Sequence, residues 1–236
     1  MPYYAPIIIS CGCMDLVFNI QSVLTTLHTT LDALHKPHRS VTLVAVSKTQ
    51  SAEIIQAAFN AGICHFGENY WQELQKKCLA LADLPINWHF IGRLQRNKAA
   101  HIAQHCAWVH SVDKMHLLPI LNNHRPSHLP ALNICLQVNL ANETQKAGVL
   151  LKDLIPLVEH TLSFPNLRLR GLMLIPPACP DPTRYFLQLE QIFSQLKQQF
   201  AIPLDTLSMG MSADYVSAVL AGSTMVRVGR AIFGER

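Results

Sequence analysis

Charged residues are scarce in this 236-residue chain: they make up 14% of it, against 50% hydrophobic residues. So little charge excludes a self-repelling disordered chain, and so much apolar content supports one sizeable core. The net charge of +4 is not gathered into a lysine and arginine run, so no nucleic-acid partner is expected. The sequence lacks a stretch of about 18 uninterrupted apolar residues, and no membrane span is expected. It also lacks a disulfide framework. Its seven cysteines are odd in number and scattered at 11, 13, 64, 78, 106, 135 and 179, which suits reduced thiols in the cytoplasm. Cys11-Gly12-Cys13 falls one residue short of the common redox and zinc spacing and has no second pair to complete a site. Met1 to Cys13 has neither the basic head nor the apolar segment of a signal peptide. It reads as a flexible leader (1–13) ahead of a single domain (14–236).

What is present is alternation. Asp15 to His35 opens with helical periodicity, with Leu16, Ile20, Val23, Leu27, Leu31 and Leu34 on one face and Pro37 ending it. Strand-like runs then fall at 41–46, 63–67, 88–91, 108–112, 133–138, 169–173, 205–208 and 225–228. Helix-like runs separate them, at 52–61, 69–82, 96–105, 114–123, 150–162, 183–199 and 213–221. Ser51 and Ser212 stand at helix N-cap positions, and Gly62 and Gly222 at C-caps. Eight strands alternating with helices predict an α/β fold, a (β/α)₈ TIM-type barrel with an extra N-terminal helix; a doubly wound open sheet is the competitor. Only eight residues follow Val228, too few for a full eighth helix, and the N-terminal helix is expected to cover that gap.

Lys48 ends the buried run Leu43-Val44-Ala45-Val46-Ser47. By itself, a lysine there ends many strands as a solvated stop. At the rim of a dry core, however, desolvation favours the free amine, the form that attacks carbonyls. At the other end of the chain, the strands at 205–208 and 225–228 each run into a glycine turn, at Gly210 and Gly229. In an eight-stranded barrel, the loops after strands seven and eight are the usual phosphate seat. Closure would bring strand one beside strand eight, and the amine beside that seat. An amine for a carbonyl and a seat for a phosphate point to a phosphorylated aldehyde, pyridoxal 5'-phosphate first among them.

Several motifs carry a resemblance: Val44-Ala45-Val46-Ser47-Lys48-Thr49; Phe66-Gly67-Glu68-Asn69-Tyr70; Trp88-His89-Phe90-Ile91-Gly92 with Leu94-Gln95-Arg96-Asn97-Lys98; Gln137-Val138-Asn139 with Lys146-Ala147-Gly148; Arg170-Gly171-Leu172-Met173; Ser208 to Ser212; and Gly222 to Gly234. In this order and spacing the chain resembles the pyridoxal phosphate homeostasis protein family. The resemblance implies a barrel like the N-terminal domain of alanine racemase, with the cofactor held as a Schiff base on Lys48. It implies phosphate contacts from Ser208 and the backbone around Met209, together with the amides of Gly229 and Arg230. It places Arg227 at the pyridine nitrogen, and Asn69 and His89 along the ring. Arg230 stands where the family commonly has a small hydroxyl residue, so only its backbone or charge could serve the phosphate.

A guanidinium at Arg227 would donate to the ring nitrogen and leave it unprotonated, a weak electron sink. Alanine racemase takes a second acid/base, a tyrosine, from a partner's added β domain, and this chain stops at Arg236 without one. The expectation is therefore a cytoplasmic monomer that holds and delivers the cofactor, with apo pyridoxal enzymes as recipients and no robust turnover. The alternatives are a pyridoxal-dependent racemase or related enzyme, and a class I aldolase-type barrel. Four features are expected to be structural: His101 and His105 without a third metal ligand, the solvated Arg93, Arg96 and Lys98, Asp113 as a helix cap, and Glu68 as a rim hydrogen-bonding group.

Overall fold

The computed structural model describes residues 11–141, 143 and 145–235. Its strands are β1 (Thr42–Val46), β2 (His65–Glu68), β3 (Asn87–Phe90), β4 (Trp108–Val112), β5 (Leu132–Val138), β6 (Leu167–Leu174), β7 (Thr206–Ser208) and β8 (Met225–Val228). They are parallel and close into a barrel in chain order. Seven helices follow the first seven strands in turn: α2 (Ala52–Asn60), α3 (Trp71–Ala80), α4 (Arg96–His105), α5 (Leu118–Asn123), α6 (Leu151–Leu162), α7 (Thr183–Phe200) and α8 (Tyr215–Leu220). The expected (β/α)₈ architecture is the one observed.

Local chemistry explains the boundaries. Ser51 accepts a hydrogen bond from the Ile54 amide at 3.4 Å and opens α2. Gly62, at φ +98°, turns the chain out of the same helix. Phe186, Leu189 and Leu196 bury one stripe of α7.

The eighth position is filled differently. A four-residue helix, α9 (Arg230–Phe233), follows β8, and α1 (Cys11–Ala33) packs across α2, α8 and α9. Asn19 Nδ2 donates to the Ile232 carbonyl at 3.2 Å. Leu16, Ile20, Val23, Leu27 and Leu31 bury the inner face of α1, as its periodicity predicts. The helix begins at Cys11 rather than Asp15, so the expected boundary at 13/14 falls inside it. Leader residues 1–10 lie outside the described residues.

Alternation along each strand sorts side chains to two environments. Leu43, Ala45 and Phe66 join the large core beneath the helices. Val44, Trp108, Cys135, Met173 and Met225 form a separate apolar cluster inside the barrel. Above and around that cluster the interior is polar: His89, His110, Ser208 and Arg227 are all buried.

Candidate functional site

Lys48 leaves the end of β1 at the C-terminal mouth and lines a cavity of about 450 Å³. Its neighbours are tightly strapped. The Ser47 amide donates to the Gly67 carbonyl, and Ser47 Oγ donates to Glu68 Oε1 at 2.5 Å. Lys77 Nζ on α3 reaches both the Ser47 carbonyl and Glu68 Oε1, each at 2.8 Å. The Thr49 amide donates to Glu73 Oε2 at 2.8 Å while Thr49 holds φ +67°, a strained value for a β-branched residue. Burial raises the Glu68 carboxyl above its ordinary range, and Lys77 pulls it back. Glu68 therefore serves the rim by hydrogen bonding, as expected, and fixes the segment that carries the amine.

Arg227 lines the same cavity from β8. Its Nη1 donates to Ser208 Oγ at 2.7 Å and its Nη2 to the Leu174 carbonyl at 3.0 Å. Those two bonds fix the plane of the guanidinium. Burial brings Arg227 down to about 10, still charged at neutral pH. It can donate here but not accept.

Gly229 and Arg230 form the turn after β8 and also line the cavity. A Cβ on Gly229 would lie 3.3 Å from the Val46 carbonyl oxygen, so glycine lets the turn close on β1. Ser212 Oγ accepts from the amides of Gly229 at 3.2 Å and Ala231 at 3.3 Å. Ser212 is thus no N-cap for α8; the turn amides draw its hydroxyl to the cavity wall. The Arg230 side chain is exposed and lies 3.7 Å from Glu235, so its backbone is what the turn offers.

Three expected contacts are displaced. Ser208 sits on β7 with its side chain turned into the barrel, where His110 and Arg227 occupy its hydroxyl. Met209 spends its amide on the Met225 carbonyl and its carbonyl on Ser223 Oγ. Neither is placed to hold a phosphate at the mouth. His89 is fully buried below the cavity, stacked on Trp108 at 5.6 Å, and does not line the ring space. Ser208 and His89 lie within strands of the barrel wall, and Met209, just after β7, packs into the core beneath the helices.

Asn69 does line the cavity, and its Oδ1 is buried without a hydrogen-bond partner among the described residues. An orphaned acceptor in a cavity wall is what a ligand donor would satisfy. Gly92 backs it: a Cβ there would fall 1.9 Å from the Asn69 carbonyl oxygen. An amine, a fixed guanidinium, a hydroxyl with turn amides and an unmet acceptor fit a ligand with an aldehyde, a ring nitrogen and an oxyanion. The cavity volume is of the size small cofactors use.

His101 and His105 pack on Trp71, with centroids 5.2 and 5.1 Å away. Among the described residues no cluster suits a metal ion. Asp113 caps no helix; its Oδ2 accepts from the Gly148 amide at 3.1 Å and ties down the loop after β5.

Residues 24–236 match the alanine racemase N-terminal domain. The chain is 45% identical over 221 residues to the pyridoxal phosphate homeostasis protein of Pseudomonas aeruginosa, covering 92% of this chain and 94% of that one. It is 40% identical over 228 residues to the protein of that name from Escherichia coli K12, covering 94% and 97%. The chain belongs to the pyridoxal phosphate homeostasis protein family. A solved structure of PipY from Synechococcus elongatus PCC7942 with pyridoxal phosphate bound superposes on this member with TM-score 0.78 and 37% identity, over 88% of this chain and all of that one.

For this member of the pyridoxal phosphate homeostasis protein family, sequence reasoning missed Ser212 as a cavity group and His65 and His110 altogether. Ser212 carried the signal of a helix cap, which its spacing to Asp214 supported. His110 follows Trp108 at strand alternation, a polar residue on an inward position, and that was the available sign.

Proposed function

We propose that this protein binds pyridoxal 5'-phosphate in the mouth cavity and serves to hold and release that cofactor. One observation carries the reading. Lys48, Arg227, Asn69 and the Ser212 and Gly229 wall line a single cavity across the β1–β8 seam. When bound, the cofactor supplies an aldehyde that condenses with a primary amine, losing one water. Lys48 provides the amine, and the Ser47–Glu68–Lys77 strap aims it. The Ser212 hydroxyl, its oxygen held by the Gly229 and Ala231 amides, donates to the phosphate together with the Arg230 amide. Arg227 donates to the ring nitrogen and, as a cation that cannot yield its proton near neutrality, leaves that nitrogen unprotonated. Asn69 Oδ1 accepts from a polar group on the ring.

An unprotonated ring is a poor electron sink, so the site holds the aldehyde without strongly stabilising carbanions. Release follows when an incoming amine or water takes the place of Lys48. The recipients are apo pyridoxal enzymes, the working unit is one chain, and the compartment is the cytoplasm. The free thiols at Cys64, Cys78, Cys106, Cys135 and Cys179 suit a reducing environment. No helix among the described residues is long and apolar enough to cross a membrane.

Incubating the loaded protein with amino acids in deuterated buffer tests this reading. The cofactor should leave as its amino-acid adduct, with α-proton exchange at the background rate. Sustained exchange abolished by Lys48→Ala would make the protein an enzyme instead.

A further inference from the structure

We infer that His65, His89, His110 and Ser208 form a single hydrogen-bond file through the barrel that positions Arg227 for the ring nitrogen. The inference rests on the cofactor reading above and goes beyond it. The file begins half-buried at His65, the first residue of β2. His65 Nδ1 lies 2.9 Å from His89 Nε2 on β3. His89 Nδ1 lies 2.8 Å from His110 Nε2 on β4, and His110 Nδ1 lies 2.7 Å from Ser208 Oγ on β7. Ser208 Oγ then accepts from Arg227 Nη1 at 2.7 Å. Five strands contribute one residue each.

Arg227 sets the direction of every proton. It only donates, so Ser208 Oγ accepts from it, and the hydroxyl proton goes to His110 Nδ1. His110 then carries its own proton on Nε2 and gives it to His89 Nδ1. His89 carries its proton on Nε2 and gives it to His65 Nδ1. Each contact has one donor facing one acceptor. The reverse order would leave the Ser208 hydroxyl proton without an acceptor in a buried site, which is costly.

The surroundings keep the file neutral. Burial holds His89 and His110 well below the usual imidazole range, and the charge of Arg227 adds to the effect on His110. On β1 the inward neighbour is Val44, which cannot titrate. On β5, burial pushes the Cys135 thiol up to about 12, so it stays protonated. On β6, Arg170 is paired with Asp205 at 2.6 Å and lies over Trp108, 4.7 Å from the ring centroid. Trp108 in turn stacks on His89 at an interplanar angle of 8°. An apolar filling would support the strands equally well. What the file adds is a rigid acceptor that holds the Arg227 fork in one orientation.

His110 is thus a positioning residue, and it is tested by substitution and by spectroscopy. Nitrogen NMR of the cofactor-free protein should report neutral Nε2–H tautomers at His89 and His110. His110→Leu should weaken pyridoxal 5'-phosphate binding roughly tenfold and shift the absorption maximum of the bound cofactor, as one oriented hydrogen bond is lost. His110→Asn, whose side-chain oxygen can stand in for Nδ1, should restore both. Should His110→Leu fail to fold, Ser208→Ala reads the same loss. Nδ1–H tautomers, or unchanged affinity and spectrum in folded His110→Leu or Ser208→Ala, would overturn the inference. If the wild-type protein does not take up the cofactor at all, the cofactor reading fails, and the tautomer measurement still decides whether the file exists.

Discussion

Val44 on β1 lies in register with Arg227 on β8, across the seam that closes the barrel. Lys48, just beyond β1, and Arg227 therefore reach one cavity from opposite ends of the chain. A one-residue slip in that register would turn Arg227 out among the helices and dismantle the site.

The two serines should separate cleanly. Ser212 faces the turn amides, whereas Ser208 is held inside the barrel by His110 and Arg227. Ser212→Ala should weaken pyridoxal 5'-phosphate roughly tenfold, the loss of one charge-assisted hydrogen bond, and leave pyridoxal nearly unaffected. Ser208→Ala should weaken both ligands alike. Fluorescence titration with the two ligands reads the difference.

Arg227 should hold chemistry back as well as hold the ring. Arg227→Glu places an acid where the guanidinium was, and an acid can share its proton with the ring nitrogen. Amino-acid α-proton exchange should rise by at least about tenfold, equivalent to about 1.4 kcal/mol off the barrier. Proton NMR in deuterated buffer measures it.

The strap behind Lys48 is a buried ion pair, with Glu68 inaccessible and Lys77 nearly so. Lys77→Met leaves the Glu68 carboxyl without its cation and should cost about 3–5 kcal/mol. Adding Glu68→Gln should recover much of that loss. Urea denaturation of the single and double variants gives both numbers.

Gly92 admits no side chain beside Asn69. Gly92→Ala should destabilise the fold by about 2 kcal/mol through the forced shift, and it should weaken cofactor binding as Asn69 moves. A thermal melt and a binding titration check the two effects.

Acid should weaken the protein through its interior histidines. Burial lowers His65 and holds His89 and His110 well below their ordinary 6.5. As pH falls, the unfolded chain takes up protons that the folded one refuses. Stability from this source is complete above about 6.5 and is lost below it, at up to about 1.4 kcal/mol per pH unit for each histidine. Urea midpoints across that range should fall, and His89→Phe should flatten the decline.

The alternation of strands and helices was legible in the sequence because each unit repeats the same physics: a short apolar run, then an amphipathic one. Lys48 was legible because it ends such a run, and Gly229 because it follows one. Asn69 and Arg227 came through the family motifs. The family motifs put Ser208 and His89 along the ligand, whereas both lie outside the lining of the mouth cavity and bond to His110 inside the barrel. Ser212 carried a helix-cap signal that the neighbouring turn overrode. The histidine file shows in the sequence only as an inward polar position at His110; His65, His89 and His110 are far apart in the chain, and closure of the barrel aligns them.

The most direct measurement is to load the protein with pyridoxal 5'-phosphate, record its visible spectrum, reduce it with borohydride and map the modified peptide. The account predicts a coloured protein that bleaches on reduction and carries one pyridoxyl group on Lys48. A pyridoxyl group on another lysine, or none after loading, would contradict it.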